Sequence, residues 1–174
     1  YKFYARRARR LLPALALVLF ITIGLSWWIL LPRELKDFAE SLTAVGIFSS
    51  NILFWIESGY FDASAEFKPL LHTWSLAIEE QYYLVFPLLL MGIWRRAKRY
   101  LSGILISLMV LSLVYAEYLV GRQASAAFYL LPTRAWELLL GAVSALLLQN
   151  GTHSKTAADQ SVSDLRSQQV KSYN

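Results

Sequence analysis

Leu70 to Leu90 reads LLHTWSLAIEEQYYLVFPLLL, an apolar run with His72, Glu79 and Glu80 near its start. It continues to Trp94, about 25 residues, enough for a helix to cross the ~30 Å hydrocarbon core of a bilayer. Ionisable groups near hydrocarbon are costly, so three of them at the mouth of such a segment point to use rather than accident. The fold class follows from this stretch and its neighbours: all-α, an integral membrane helical bundle of about four spanning helices plus a re-entrant or short helix.

Working outward, the basic knot Arg95, Arg96, Lys98 and Arg99 closes the segment, Tyr100 to Val120 spans again with a lone Glu117, and Phe128 to Gln149 returns after a short turn over Gly121 to Ala127. Toward the N-terminus, Leu11 to Leu31 is the clearest span, with Pro13 suited to a first helical turn and Trp27 and Trp28 at an interfacial belt. Pro32 to Glu40 reads as a mixed-charge connector and Glu57 to Pro69 as a polar loop. Ser41 to Ile56 is apolar but broken by Gly46, Ser49, Ser50 and Asn51, and at about 16 residues it is short for a crossing. After Asn150 the composition turns to Ser, Thr, Gln, Asp and Lys. The expected organisation is therefore a partial membrane module over 1–149 and a polar, disordered tail over 150–174, where His153 is inert.

Composition agrees: of 174 residues 56% are hydrophobic and 17% charged, against about 45–50% and 25% for soluble domains. The net charge of +5 does not indicate nucleic acid, because the basic residues gather at the ends of apolar runs. Without cysteine the chain has no disulfide, thiolate nucleophile or zinc–thiolate site. The basic start resembles a signal peptide, but its apolar run of about 21 residues is long enough to span, and no small-residue cleavage site follows. The missing initiating Met suggests a piece of a longer chain.

Two knots, Lys2 with Arg6, Arg7, Arg9 and Arg10, and Arg95 with Arg96, Lys98 and Arg99, hold nine of the seventeen basic residues. The positive-inside rule makes both cytoplasmic. An even number of crossings then separates them, so Ser41 to Ile56 is expected to dip in from the outer side and return. The same count sends His72, Glu79, Arg134 and Glu137 to the outer half and the tail inside.

At about 100° per residue, His72, Ser75, Glu79, Tyr82, Tyr83 and Phe86 share one arc of roughly a third of the helix, with Thr73 and Glu80 at its edge and Trp74 and Gln81 opposite. Such a face suits a polar cavity for a sugar or acyl acceptor; equally, the glutamates can pair with Arg134 or another helix only to hold the bundle. Arg134 and Glu137, at i and i+3, read first as a structural ion pair. Arg6, Arg7, Arg9 and Arg10 read first as an anchor, although four arginines without a lysine among them suit bidentate phosphate binding. No glycine-rich phosphate loop, metal-ligand cluster or Ser-His-Asp context is present.

Three segments, FYARRARRLLPAL at Phe3 to Leu15, SGYFDASAEFKPLLHTWSLAIEEQYYLVFPLLL at Ser58 to Leu90, and LLPTRAWELLLGA at Leu130 to Ala142, together resemble the acyltransferase 3 family of bacterial membrane O-acyltransferases. That group includes O-antigen and peptidoglycan O-acetylases. The resemblance implies transfer of an acyl group, commonly acetyl, from cytoplasmic acyl-CoA as co-substrate to a hydroxyl of a cell-envelope glycan, in the bacterial inner membrane, with no bound cofactor, no metal and no nucleic-acid partner. It places Arg7 and Arg10 on the donor phosphates. Its motif blocks fall on His72, Trp74, Ser75, Glu79, Glu80 and Gln81, and on Arg134, Trp136 and Glu137. With the shared arc, this puts His72, Glu79, Glu80 and Glu137 in the catalytic group, the glutamates orienting the acceptor or stabilising charge and His72 not taking the base's role. It puts Trp74, Ser75, Tyr82, Arg134 and Trp136 on the acceptor side or its support. The family's catalytic histidine, on a helix before the arginines, its Ser-Gly-Phe helix and several later spans have no counterpart here. The chain thus resembles an internal fragment, expected to show no turnover alone; related full-length proteins often carry a C-terminal SGNH-type domain. The competing readings are a transporter or export component, in which the His72–Glu79 face forms a path, and a non-catalytic truncated membrane protein.

Overall fold

A computed structural model describes residues 2–58 and 68–148; the tail, with His153, and most of the polar loop lie outside them. Among the described residues the chain is helical and has no strand. The helices are α1 (Lys2–Ile29), α2 (Pro32–Gly46), α3 (Ser50–Glu57), α4 (Thr73–Ala97), α5 (Leu101–Val120), α6 (Ala124–Tyr129) and α7 (131–148), with a 3-10 turn at Lys98–Tyr100 between α4 and α5. Three helical stretches are long and apolar enough to cross a membrane: Phe3–Ile29, Thr73–Val120 and Ala124–Leu148. The second has 48 residues, about 72 Å at 1.5 Å per residue, more than twice the hydrocarbon core. Its length therefore holds two crossings, one in α4 and one in α5, which gives the expected four.

Two expected boundaries are corrected. Helix α1 begins at Lys2, so the arginine knot is helical and Pro13 lies inside the helix, where its ring removes the N–H that would bond the Arg9 carbonyl. Pro32 to Glu40 is not a connector but the first part of α2. Pro32 opens the helix, Glu34 accepts the Leu31 N–H at 2.9 Å, and Phe38, Ser41, Ala44 and Val45 form its buried stripe.

The described residues form two compact units. The first runs up to Phe86 and includes Leu119–Leu131; the second takes Pro87–Tyr118 and the chain from Pro132 on. In the first, Phe38, Val45 and Leu70 make a core, covered by Leu15, Leu19, Leu30, Leu35 and Leu42.

The interruption read at Gly46 to Asn51 is real, and it sits between two short helices. Helix α2 ends in a Schellman motif: the Ser49 N–H bonds the Ala44 carbonyl at 2.8 Å and the Phe48 N–H bonds the Val45 carbonyl at 3.1 Å. The left-handed position, usually glycine, is Phe48, with φ 53°. The helix that follows buries Ser50, Asn51 and Phe54.

Most buried polar groups described in this unit have partners, as a low-dielectric interior requires, the Tyr82 hydroxyl being the exception. The Ser50 hydroxyl donates to the Thr73 carbonyl at 3.1 Å, and the Asn51 amide donates to the Tyr129 carbonyl at 3.0 Å. Trp74 packs on Phe128 and Tyr129, at ring separations of 4.5 and 5.7 Å.

In the second unit Ser112 is the polar anchor. Its hydroxyl donates to the Pro132 carbonyl at 2.6 Å and accepts the Trp136 N–H at 3.0 Å, the two groups that an i to i−4 bond of α7 would join. Leu105, Leu139 and Val143 are buried. The Lys98 ammonium lies 4.3 Å from the centre of the Trp94 ring, an arrangement suited to a membrane interface.

Candidate functional site

The site is built where α1 meets α4 in the first unit. Arg7 stands on the first turns of α1, and Glu79, Glu80 and Tyr83 on the first turns of α4. The Arg7 Nε donates to Glu80 Oε1 at 2.7 Å, and Nη2 lies 3.7 Å from Glu79 Oε2. The guanidinium carbon sits 3.3 Å from the centroid of the Tyr83 ring. Charge, donor geometry and ring face therefore hold one guanidinium at once, a combination that a lysine cannot reproduce. The Glu80 side chain is largely enclosed at 17% exposure, whereas that of Glu79 is half exposed at 49%.

This ion pair corrects the topological expectation. The charge count had Arg7 on the cytoplasmic side and Glu79 toward the outer half; the contact puts them at one depth. The counting rule treats every basic residue as a free charge in a short loop, and Arg7 is neither free nor in a loop.

A cavity of about 240 Å³ opens beside the pair, lined by Tyr4, Ile47, Phe48, Glu80, Gln81, Tyr83 and Leu84. Its wall at the helix break is fixed by Gln81, whose amide donates at 2.8 Å to both the Phe48 carbonyl and Asn51 Oδ1. Gln81 and Trp74 do point away from the arc that carries Glu79. That side is the packed one, and Gln81 is a site residue.

The arc itself is divided. Tyr82 is buried and stacked on Phe86 at 4.8 Å, with its hydroxyl unpartnered among the described residues. His72 is exposed at the start of α4, where its carbonyl accepts the Ser75 hydroxyl at 3.3 Å, and neither lines the cavity. Arg10 lies one turn on from Arg7 and is exposed. Arg134, Trp136 and Glu137 belong to the second unit, where Arg134 Nη2 contacts both Glu137 oxygens at 2.9 and 3.2 Å. Among the described residues no cluster of His, Asp and Glu is suited to a metal ion.

Sequence reasoning missed Tyr4 and Phe48 as site residues, and it reached Gln81 only through the resemblance, without its place on the cavity wall. The polar interruption around Asn51 was the signal for a break, and a break is where a backbone carbonyl needs a partner such as Gln81.

In comparison with known proteins, the sequence profile of a family described as an acyltransferase domain matches residues 1–157. A Bacillus subtilis protein, YrhL, provisionally named a peptidoglycan O-acetyltransferase, is 36% identical over 151 residues, covering 83% of this chain and 24% of that protein. The peptidoglycan O-acetyltransferase OatA of Listeria monocytogenes is 34% identical over 151 residues, 84% of this chain and 24% of the relative. An uncharacterized Haemophilus influenzae protein is 30% identical over 152 residues, 83% of this chain and 62% of its own length. The chain thus spans about a quarter of the first two relatives and under two thirds of the third. No solved structure matches it.

Proposed function

Because this chain belongs to the acyltransferase-domain family, we propose that it forms part of a bacterial inner-membrane O-acyltransferase. The enzyme moves an acyl group, acetyl foremost, from acyl-CoA to a hydroxyl of a cell-envelope glycan. The observation that carries this reading is the convergence of Arg7 with Glu79 and Glu80 beside a cavity, which brings an arginine-bearing helix and two carboxylates to one place.

In this reading Arg10, exposed one turn from Arg7, takes the donor phosphates together with the guanidinium edge that Arg7 leaves free. The half-exposed carboxylate of Glu79 accepts a hydrogen bond from the acceptor hydroxyl, and Glu80 fixes Arg7. The hydroxyl proton passes to a general base, the oxygen attacks the thioester carbonyl, and collapse of the tetrahedral adduct expels the CoA thiolate and leaves an ester. His72, Ser75 and Trp74 stand at the entry of α4 and Tyr82 behind it, as acceptor-side groups or their support. Glu137, with Arg134 and Trp136, shapes the corresponding part of the second unit.

The test uses the complete gene product in membranes, with labelled acetyl-CoA and envelope glycan. The expected result is labelled ester on the glycan with stoichiometric CoA release, reduced at least tenfold by Arg7→Ala and by Glu79→Ala. Movement of substrate without CoA release would favour a transporter, and wild-type rates in both variants would refute the assignment of these residues.

A further inference from the structure

The cavity lined by Tyr4, Ile47, Phe48, Glu80, Gln81, Tyr83 and Leu84 lies beside the Arg7–Glu80 ion pair. We propose that it receives the acyl chain of the donor thioester, with the Phe48 ring as the wall that limits chain length. The inference rests on the O-acyl-transfer reading and deepens it, since it names the group that selects the donor.

Size is the first argument. A volume of about 240 Å³ corresponds, at about 30 Å³ for each water-sized group, to roughly eight non-hydrogen atoms. The part of a ligand held inside is therefore small, and the space fits an acyl chain of up to about six carbons with its carbonyl and sulfur.

Chemistry is the second. Five of the seven lining residues, Tyr4, Ile47, Phe48, Tyr83 and Leu84, are aromatic or aliphatic. The two strongly polar ones are already engaged, Glu80 by Arg7 at 2.7 Å and the Gln81 amide by the Phe48 carbonyl and Asn51 at 2.8 Å. A sugar ring here would bury hydroxyls with few partners, each at a cost of about 1–3 kcal/mol. An alkyl chain has none to satisfy.

The third argument is Phe48 itself. A bulky residue at φ 53° is strained, and such strain persists only where the surroundings over-determine it. Here the Schellman hydrogen bonds on one side and the Gln81 amide on the other pin its backbone, and so fix where the ring begins. Glu80, which also lines the cavity, carries the link to Arg7, so a chain held here lies next to the helix assigned to the donor phosphates.

The experiment offers membranes containing the complete gene product a mixture of acetyl-CoA, hexanoyl-CoA and decanoyl-CoA, and reads the esters formed on envelope glycan by mass. Wild type is expected to transfer acetyl and hexanoyl and to discriminate against decanoyl. Phe48→Ala and Phe48→Gly, the second chosen because glycine suits this backbone, should each raise the decanoyl-to-acetyl ratio at least tenfold. Leu84→Phe, which fills the cavity, should lower the hexanoyl-to-acetyl ratio. Ratios within twofold of wild type in Phe48→Gly and Leu84→Phe, with acetyl still transferred by wild type, overturn the pocket and leave the transferase reading standing. Failure of wild type to transfer any acyl group from any of the three thioesters overturns both.

Discussion

Arg7 and Glu80, 73 positions apart in sequence, meet at 2.7 Å between α1 and α4. The pair is mostly enclosed and hydrogen-bonded, whereas Glu79 lies 3.7 Å from the same guanidinium and is half exposed. A double-mutant cycle on Arg7→Ala and Glu80→Ala, read from thermal unfolding in detergent, should return a coupling of about 1.5–3 kcal/mol. The same cycle with Glu79→Ala should return under about 1 kcal/mol and fade with salt. Arg7→Lys should recover less than half of the Glu80 coupling, because the ammonium loses the Nε geometry and the stack on Tyr83. Equal couplings for the two glutamates would contradict the geometry.

The sequence made the long apolar helices legible because one quantity, apolar length, decides them. It also exposed the break at Gly46 to Asn51, since polar residues rarely interrupt a buried apolar run without reason. Two features were hidden. The helix over Pro32–Gly46 was masked by Arg33, Glu34, Lys36 and Asp37, charges that lie off its buried stripe of Phe38, Ser41, Ala44 and Val45. The stripe and the proline at its start were readable, but charge density outweighed them. The contact of Arg7 with Glu80 was beyond reach for another reason: periodicity reports which residues share a face, never which face of another helix they meet. With no cross-helix information, charge counting assigned the two groups to opposite sides, and the candidate site was legible only as a list of residues.

Phe48 carries a stability prediction independent of any activity. At φ 53° a bulky side chain costs on the order of 1–2 kcal/mol relative to glycine. Its ring is only half-buried, so packing lost on truncation is modest. Phe48→Gly should therefore unfold no earlier than wild type, and Phe48→Asn close to it, since asparagine tolerates this conformation. Phe48→Val should be less stable than both by about 1 kcal/mol or more, because its β-branch adds strain to a smaller contact. A series of melting midpoints in one detergent checks the order, and a valine variant as stable as the glycine one would remove the case for backbone strain.

Tyr82 separates a structural from a chemical role. Its ring stacks on Phe86 and meets Tyr83 edge-on, while its hydroxyl is buried with no hydrogen-bond partner among the described residues. A buried, unpaired hydroxyl is a cost of about 1–3 kcal/mol. Tyr82→Phe keeps the stack and removes that cost, so the variant should be as stable as wild type or more stable by up to about 1 kcal/mol. Tyr82→Leu should lose roughly 1 kcal/mol or more through the missing ring contacts. If the hydroxyl serves the acceptor, Tyr82→Phe must lower acyl transfer while the melting midpoint holds or rises. A phenylalanine variant that unfolds earlier would show instead that the hydroxyl has a bonding partner in the folded protein, and would assign Tyr82 to the framework rather than to the chemistry.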